Sequence, residues 1–333
     1  MALNHHTERY RTARVSVIDP LSRAIDWARD VLFRPFDIEK WIALGFCAWL
    51  AMLGEHGGGS YNWSHGDSDF EDIERGVHHA WEWVLANLIP IVLIGSVVLL
   101  VLVAFWLVCR WLSSRGKFMF LDGVVHNRAA VVEPWGRFRA PANSLFGLRI
   151  VLDLIGMVII LGLLAGMLVS LLVFVGSETT VPLLVMALVF GVLCIVFAAI
   201  VFAVIELVIV DFLVPMMYLR SCGVGQAWRE LGPLIGARPG AFVLYILVKF
   251  VVSIIVVILV LLTCCVTCCC VMIPYVGTVI LLPLWVFLRA WPVYFLGQFG
   301  PEYARFATLG PSEEAIVEPA PSATDEPPTP QVP

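Results

Sequence analysis

Long blocks of apolar sequence with very few charges dominate this chain, for example residues 84–112, 146–175 and 181–215. A helix needs roughly 20 predominantly apolar residues to cross the hydrocarbon core of a bilayer. The chain is 60% hydrophobic and 14% charged, whereas soluble domains average roughly 45–50% apolar and about 25% charged residues. The sequence therefore predicts an all-α polytopic membrane protein.

Six transmembrane helices are predicted. The first, residues 41–54, is shorter than a full crossing requires, so a re-entrant segment is the alternative to a tilted span whose Lys40 snorkels. The short turn at residues 176–180 predicts an antiparallel hairpin between the third and fourth spans. The predicted spans are residues 41–54, 84–112, 146–175, 181–215, 241–272 and 273–299.

The predicted domain organisation follows from these spans. Residues 19–299 form the membrane domain, in three hairpin units of about 19–112, 115–218 and 222–299. A polar N-terminal tail precedes it at residues 1–18. The acidic, Pro-rich residues 300–333 follow it, and their composition predicts disorder.

The polar segment between the second and third spans, residues 115–149, sets the predicted orientation. From Arg110 to Arg149 the sequence has seven Lys or Arg residues and two acids. Basic segments between spans lie on the cytoplasmic side, and all basic residues except Arg75 and Lys249 fall on the side of this segment. Both termini are therefore predicted to be cytoplasmic, and the first 40 residues show no cleavable signal peptide.

A recurring group of Trp, Arg and Pro residues precedes the first, third and fifth spans. Trp and Arg favour the membrane interface, and Pro ends a surface helix. We therefore predict three related units with cytoplasmic amphipathic helices, although unequal Trp-to-Pro spacings leave a chance pattern as the alternative. The predicted interfacial anchors are Trp27, Arg29 and Arg34; Trp135, Arg137 and Arg139; and Trp228, Arg229 and Arg238.

Five ionisable residues lie within or beside the spans, all towards the cytoplasmic side: Asp153, Glu206, Asp211, Lys249 and Arg289. Charges inside a membrane are costly and often mark ion or substrate pathways. We predict a possible intramembrane charge layer, with Glu206 or Asp153 pairing with Lys249 or Arg289. The alternative keeps these residues apart, with Asp153 pairing with Arg149 and Lys249 snorkelling.

Two groups of potential metal ligands have weaker patterns. The cysteines of residues 264–270 could bind a soft metal, but no His stands nearby and cysteine as a small apolar filler is favoured. The His and acidic residues of the loop at residues 55–83 lack EF-hand spacing. We predict no metal and no cofactor.

Pro283, in the sixth predicted span, should leave the carbonyl of Val279 without its helical partner. No phosphate-binding loop, dinucleotide fingerprint or hydrolase motif occurs, so we expect no catalytic residue and no enzyme activity. Membrane orientation explains the basic residues, so no nucleic-acid partner is expected.

Several passages resemble a known family. They are FRPFDIEKWIALGFCAWLA (residues 33–51), SRGKFMFLDGVV (residues 114–125), EPWGRFRAPANSLFGLR (residues 133–149) and LRAWPVYFLGQFGPEY (residues 288–303). The chain resembles bacterial polytopic membrane proteins of unknown function, and it is similar to the membrane domain associated with glycerophosphoryl diester phosphodiesterases. The resemblance implies an all-helical domain in the bacterial inner membrane, without the phosphodiesterase chemistry, which belongs to a separate soluble barrel.

These observations favour a non-enzymatic scaffold or accessory protein. We expect its basic cytoplasmic helices to bind anionic lipid or a membrane partner. The alternative is a transporter of small solutes or lipids that uses the charge layer. Sequence alone does not predict the oligomeric state.

Overall fold

A computed structural model describes residues 15–53, 86–128, 131–174, 181–267, 273–300 and 303. The predicted tails, the histidines and acids of residues 55–83, and the cysteines at 268–270 lie outside the described residues.

Every regular element among these residues is a helix. Helix α1 is Ile18–Phe33, α2 is Ile38–Met52, α3 is Leu88–His126, α4 is Val132–Arg137 and α5 is Arg139–Phe174. Helix α6, Val181–Val208, continues through a π-helical turn, Ile209–Leu213, into α7, Val214–Arg220. Helix α8 is Val224–Ala237, α9 is Pro239–Val266, α10 is Pro274–Ile280 and α11 is Leu282–Leu296, which ends in a 3₁₀ turn, Gly297–Phe299.

Four helical segments of the described chain are long and apolar enough to cross a membrane: α3, α5, α6 with its continuation through α7, and α9. Their most apolar stretches are almost unburied by protein, at 0% in α3 and 6% in each of the others. Apolar surface of this extent requires a membrane or another apolar partner. Four of the six predicted spans are thus supported by length and composition.

The first and sixth predicted spans are not confirmed. Helix α2 has 15 residues, fewer than the roughly 20 that a crossing needs. The sixth is divided into α10 and α11 at Leu281. Two of the helix pairs that the predicted hairpins contain are in contact. Helix α5 packs along α6, and α2 packs against α3.

The protein core lies at one end of the long helices. Buried residues of α3 run from Cys109 to Val125, whereas α9 is buried only at Phe242 and Tyr245. The π-helical turn, α7, α1, α2 and α11 complete this core. We call this region the packed end. Residues 115–126, predicted as part of a polar loop, instead extend α3 into the packed end, where the side chains of Arg115, Lys117 and Asp122 are buried.

Helix α2 runs antiparallel to the last part of α3. Lys40 Nζ, near its start, donates to Asn127 Oδ1 at 3.0 Å, and Ser113 Oγ donates to the carbonyl of Ala51, near its end, at 2.7 Å. Gly116 allows this close approach, since a Cβ there would lie 2.5 Å from the backbone of Ala51. Helix α2 therefore lies beside residues 113–127 and ends level with Ser113.

The break between α10 and α11 has a packing role. Pro283 stands in the first turn of α11, and the carbonyl of Val279 accepts a hydrogen bond from Trp41 Nε1 at 3.0 Å. Tyr275 Oη also donates to the carbonyl of Ile42 at 3.2 Å. The carbonyl freed by Pro283 thus joins α10 to α2.

Candidate functional site

Asp211 is held inside the π-helical turn at the packed end. It is 5% exposed and accepts a hydrogen bond from Tyr245 Oη at 2.8 Å. Lys249 Nζ lies 2.9 Å from the same carboxylate and 5.2 Å from the ring centre of Trp291. Because Tyr245 and Lys249 are one helical turn apart on α9, both reach Asp211 from the same side.

Arg289 joins three helical segments through backbone carbonyls. Its guanidinium donates to Val210, in the π-helical turn, at 3.0 Å and to Lys117, in α3, at 2.9 Å. π-helical turns are frequent at functional sites. Their buried backbone carbonyls still need a hydrogen-bond donor. Arg289 therefore fixes the position of the irregular turn that carries Asp211.

The two other acids of the predicted charge layer pair with different arginines. Arg149, which is 1% exposed, forms an ion pair with Glu206. Arg110 Nε donates to Asp153 at 2.8 Å. The expected pairs of Glu206 or Asp153 with Lys249 or Arg289 are therefore absent from the described residues, and Asp153 does not pair with Arg149. The rotation of each helix selects these partners, and this rotation cannot be inferred from the positions of the residues in the sequence.

A pocket of about 340 Å³ lies where α2, α3, α6, α9 and α11 converge. Five charged residues line it: Lys117, Glu206, Asp211, Lys249 and Arg289. The remaining wall is largely apolar and includes Phe120, Ala203, Leu207, Trp285 and Leu288. Four of the five predicted charge-layer residues thus meet at one pocket, whereas Asp153 does not line it.

A second polar cluster surrounds Asp122, which is fully buried. Its carboxylate accepts hydrogen bonds from Tyr218 Oη at 2.6 Å and from Arg128 Nη2 at 3.0 Å. His126 Nδ1 lies 3.2 Å from the same group. The sequence analysis missed this cluster, although Asp122 and His126 stand four residues apart, which on a helix places them on one face.

The described residues offer little for catalysis by a metal. No group of three or more His, Cys, Asp or Glu side chains within them could hold a metal ion. Cys264 is half-buried and Cys265 is exposed, and the structure leaves the other cysteines of the predicted group undescribed.

The model of a family of unknown function matches residues 15–300. The chain belongs to this family, DUF7544. No curated protein and no solved structure matches the chain. The DUF7544 match covers both polar clusters and the pocket, but it does not show the resemblance to the membrane domain associated with glycerophosphoryl diester phosphodiesterases.

The predicted interfacial anchors of the DUF7544 chain occupy three different environments. Trp27 is buried and its Nε1 donates to the carbonyl of Val124 at 3.1 Å. Trp135 and Trp111 enclose the guanidinium of Arg115, whose carbon lies 4.7 and 4.4 Å from their ring centres, and Trp228 is exposed. The internal repeat therefore stays a prediction. Arg238 is half-buried, and the exposed anchors are Arg29, Arg34, Arg137, Arg139 and Arg229.

Proposed function

We propose that the protein is a membrane-embedded accessory protein, without enzyme activity, that binds anionic lipid at its packed end. The observation that carries this proposal is the separation of charge along the spans. Residues 88–109, 154–174, 181–205 and 250–266 contain no charged residue, whereas the packed end collects the ion pairs and the exposed arginines.

The lengths of these charge-free stretches support a placement of the packed end at the membrane interface. At about 1.5 Å per residue, residues 88–109 extend roughly 33 Å, which covers a hydrocarbon core of about 30 Å. The arginines then lie at headgroup level. In the proposal this end faces the cytoplasm of a bacterial inner membrane, where each basic residue near an anionic surface contributes about 1 kcal/mol.

The test compares thermal unfolding in lipid nanodiscs of phosphatidylcholine with unfolding in discs that also contain phosphatidylglycerol. We expect the anionic lipid to raise the unfolding midpoint of the wild-type protein. Replacing Arg29, Arg137, Arg139 and Arg229 by Gln should remove most of this gain, and high salt should do the same because it screens exposed charges.

Glu39→Gln is the matched control, since Glu39 is an exposed acid at the same end. Its removal should leave the gain unchanged or increase it. An equal midpoint for the wild-type protein in the two lipids would refute the proposed function.

The pocket is the observation that favours the second candidate, a transporter, because it reaches Glu206 and Lys249. A path for a polar solute needs polar lining through the membrane. In the charge-free stretches, the hydroxyls of Ser96, Ser170 and Thr263 donate to carbonyls of their own helices. This pattern favours lipid binding, and protein-dependent release of an anionic solute from proteoliposomes would favour transport instead.

A further inference from the structure

The arginines around α4 and α8 give part of the packed end an excess of positive charge. Residues 120–141 and 219–240 contain six arginines and three acids. Each of these acids pairs with Arg128 or Arg220. The arginines of these segments that are exposed and make no ion pair with another described residue are Arg137, Arg139 and Arg229.

An exposed tryptophan lies beside these arginines on α8. The backbone N–H of Val224, the first residue of α8, donates to Ser144 Oγ at 3.1 Å and so joins α8 to α5. Arg139 and Arg229 each stand five positions from this contact, about 8 Å along their helices. Trp228, next to Arg229, is 37% exposed. We call this set the basic surface: Arg137, Arg139, Trp228 and Arg229.

The chain reaches the end of its membrane domain close to the basic surface. The ring of Phe299 lies 5.2 Å from the ring of Phe242, near the start of α9, and Tyr303 is buried in the core. Helix α9 follows α8 directly. Arg229 precedes Phe242 by 13 positions, which is at most about 20 Å of helix. The residues after Tyr303 therefore start at the same end of the molecule as the basic surface.

The sequence after Tyr303 carries the opposite charge. Residues 304–333 contain five acids and one arginine. Three of these acids fall within residues 313–318, whose sequence is EEAIVE. Two apolar side chains, Ile316 and Val317, thus stand between negative charges. This order complements the basic surface, where a tryptophan stands among positive charges.

Residues 313–318 are also within range of the basic surface. Ten positions separate Tyr303 from the first of these acids, and an extended chain of this length covers about 33 Å. Exposed ion pairs are individually weak. A segment of the same chain, however, meets its binding site at an effective concentration of the order of millimolar, so a few such pairs are enough for substantial occupancy.

We propose that residues 313–318 bind the basic surface and compete there with anionic lipid. The carboxylates pair with the three arginines, and Ile316 and Val317 contact Trp228. Carboxylate and phosphate oxygens accept hydrogen bonds from the same guanidinium donors, so the two ligands exclude each other. For its effect on lipid, this inference rests on the proposed function. It adds regulation, because anionic lipid must first displace residues 313–318.

The first experiment is photo-crosslinking of the full chain in an uncharged detergent, without lipid. A photoreactive phenylalanine analogue replaces Ile316, and mass spectrometry identifies the cross-linked peptides. We expect them to come from residues 132–141 and 224–238 of the same chain. Replacing the three glutamates of residues 313–318 by Gln should lower the yield about tenfold, through the loss of three exposed ion pairs. High salt should lower it as well, because it screens exposed charges.

A pair of arginine variants tests the surface itself. Arg229→Gln should lower the cross-linking yield by up to about fivefold, the limit for one exposed ion pair. Arg34→Gln is the matched control, because Arg34 is an exposed arginine at the end of α1, where Asp30 is its partner. It should leave the yield unchanged. Cross-links to other segments or between two chains, or an equal yield without the three glutamates, would overturn the inference.

The second experiment repeats the thermal unfolding in nanodiscs that contain a small fraction of phosphatidylglycerol. The variant without the three glutamates should gain more in unfolding midpoint than the wild type, because nothing competes with the lipid. Equal gains would overturn the competition. If neither protein gains, the proposed function fails. The cross-linking experiment uses no lipid, so it still decides whether residues 313–318 bind the basic surface.

Discussion

Asp122 shows how single residues stabilise the packed end. Its carboxylate has no exposed surface. It joins the end of α3 to α7 through Tyr218, and it also binds Arg128, the second residue after α3. A buried charge is tolerated when partners of opposite charge and hydrogen-bond donors surround it. The Asp122 cluster therefore contributes to the relative position of these two helices.

Asp122→Asn should destabilise the protein by roughly 1–3 kcal/mol, because the neutral amide weakens the buried hydrogen bonds from Tyr218 and Arg128, while Arg128 itself is 36% exposed and keeps Glu133 as a partner. Glu133→Gln is the control, because Glu133 is 60% exposed and binds the same Arg128 at 2.9 Å. Exposed pairs contribute about 0–1 kcal/mol. Unfolding in detergent, followed by tryptophan fluorescence, measures both variants, and equal effects would contradict the structural role of Asp122.

Residue chemistry was partly predictable from the sequence. The positions of Glu206, Asp211, Lys249 and Arg289 along their helices indicate a common depth. Their partners were not predictable, since pairing depends on the rotation and packing of helices that are far apart in sequence. Asp122 was missed for a different reason: the charges of Arg115, Lys117 and Asp122 suggested a polar loop, whereas the structure buries these three side chains against other helices.

Helix α2 is the element whose role differs most from the expectation. Its 15 residues include most of the run predicted as a short span, residues 41–54, but hydrogen bonds at both ends align it with residues 113–127 of α3. Hydropathy does not distinguish a buried core helix from a membrane segment of this length. The contacts made by Lys40 and Ser113, at its two ends, show its level in the molecule.

Gly116→Ala should destabilise the protein strongly, because the added Cβ would meet the α2 backbone at 2.5 Å and backbone cannot move aside cheaply. Gly95→Ala is the matched control on α3, since no atom lies within 4 Å of the corresponding Cβ. Alanine is a better helix former than glycine by about 1 kcal/mol, so this control should be neutral or stabilising. Thermal unfolding compares the two, and a stable Gly116→Ala protein would contradict the α2–α3 packing.

The arrangement of the whole molecule predicts opposite sides for the two ends of its spans. Protease sites would be inserted at residues 129–130, between α3 and α4, and at residues 176–179, between α5 and α6. Under the proposed orientation, inverted membrane vesicles should be cleaved only at the first site and right-side-out vesicles only at the second. Cleavage of both sites from one side would contradict a crossing by α5. Wild-type protein without an inserted site is the control, and it should stay intact in both kinds of vesicle.

At this scale the sequence predicted the class of protein well. Runs of more than 20 apolar residues have few alternatives to a membrane helix, which explains why α3, α5, α6 and α9 were found. The location of the core was not predictable, because lipid-facing and protein-facing apolar residues have the same composition. The break at Leu281 could be anticipated from Pro283. The hydrogen bond from Trp41 to the carbonyl of Val279 could not, because these two residues are 238 positions apart.

The concentration of buried residues at one end has a consequence for mutational tolerance. Leucine is as favourable in lipid as against another apolar side chain, so apolar exchanges among residues 88–105 of α3 should matter little. From Cys109 to Val125 the same exchanges would create cavities or clashes. The mutational sensitivity of α3 should therefore rise along its length, and a saturation scan of this one helix would map the boundary between its lipid-facing and protein-facing parts.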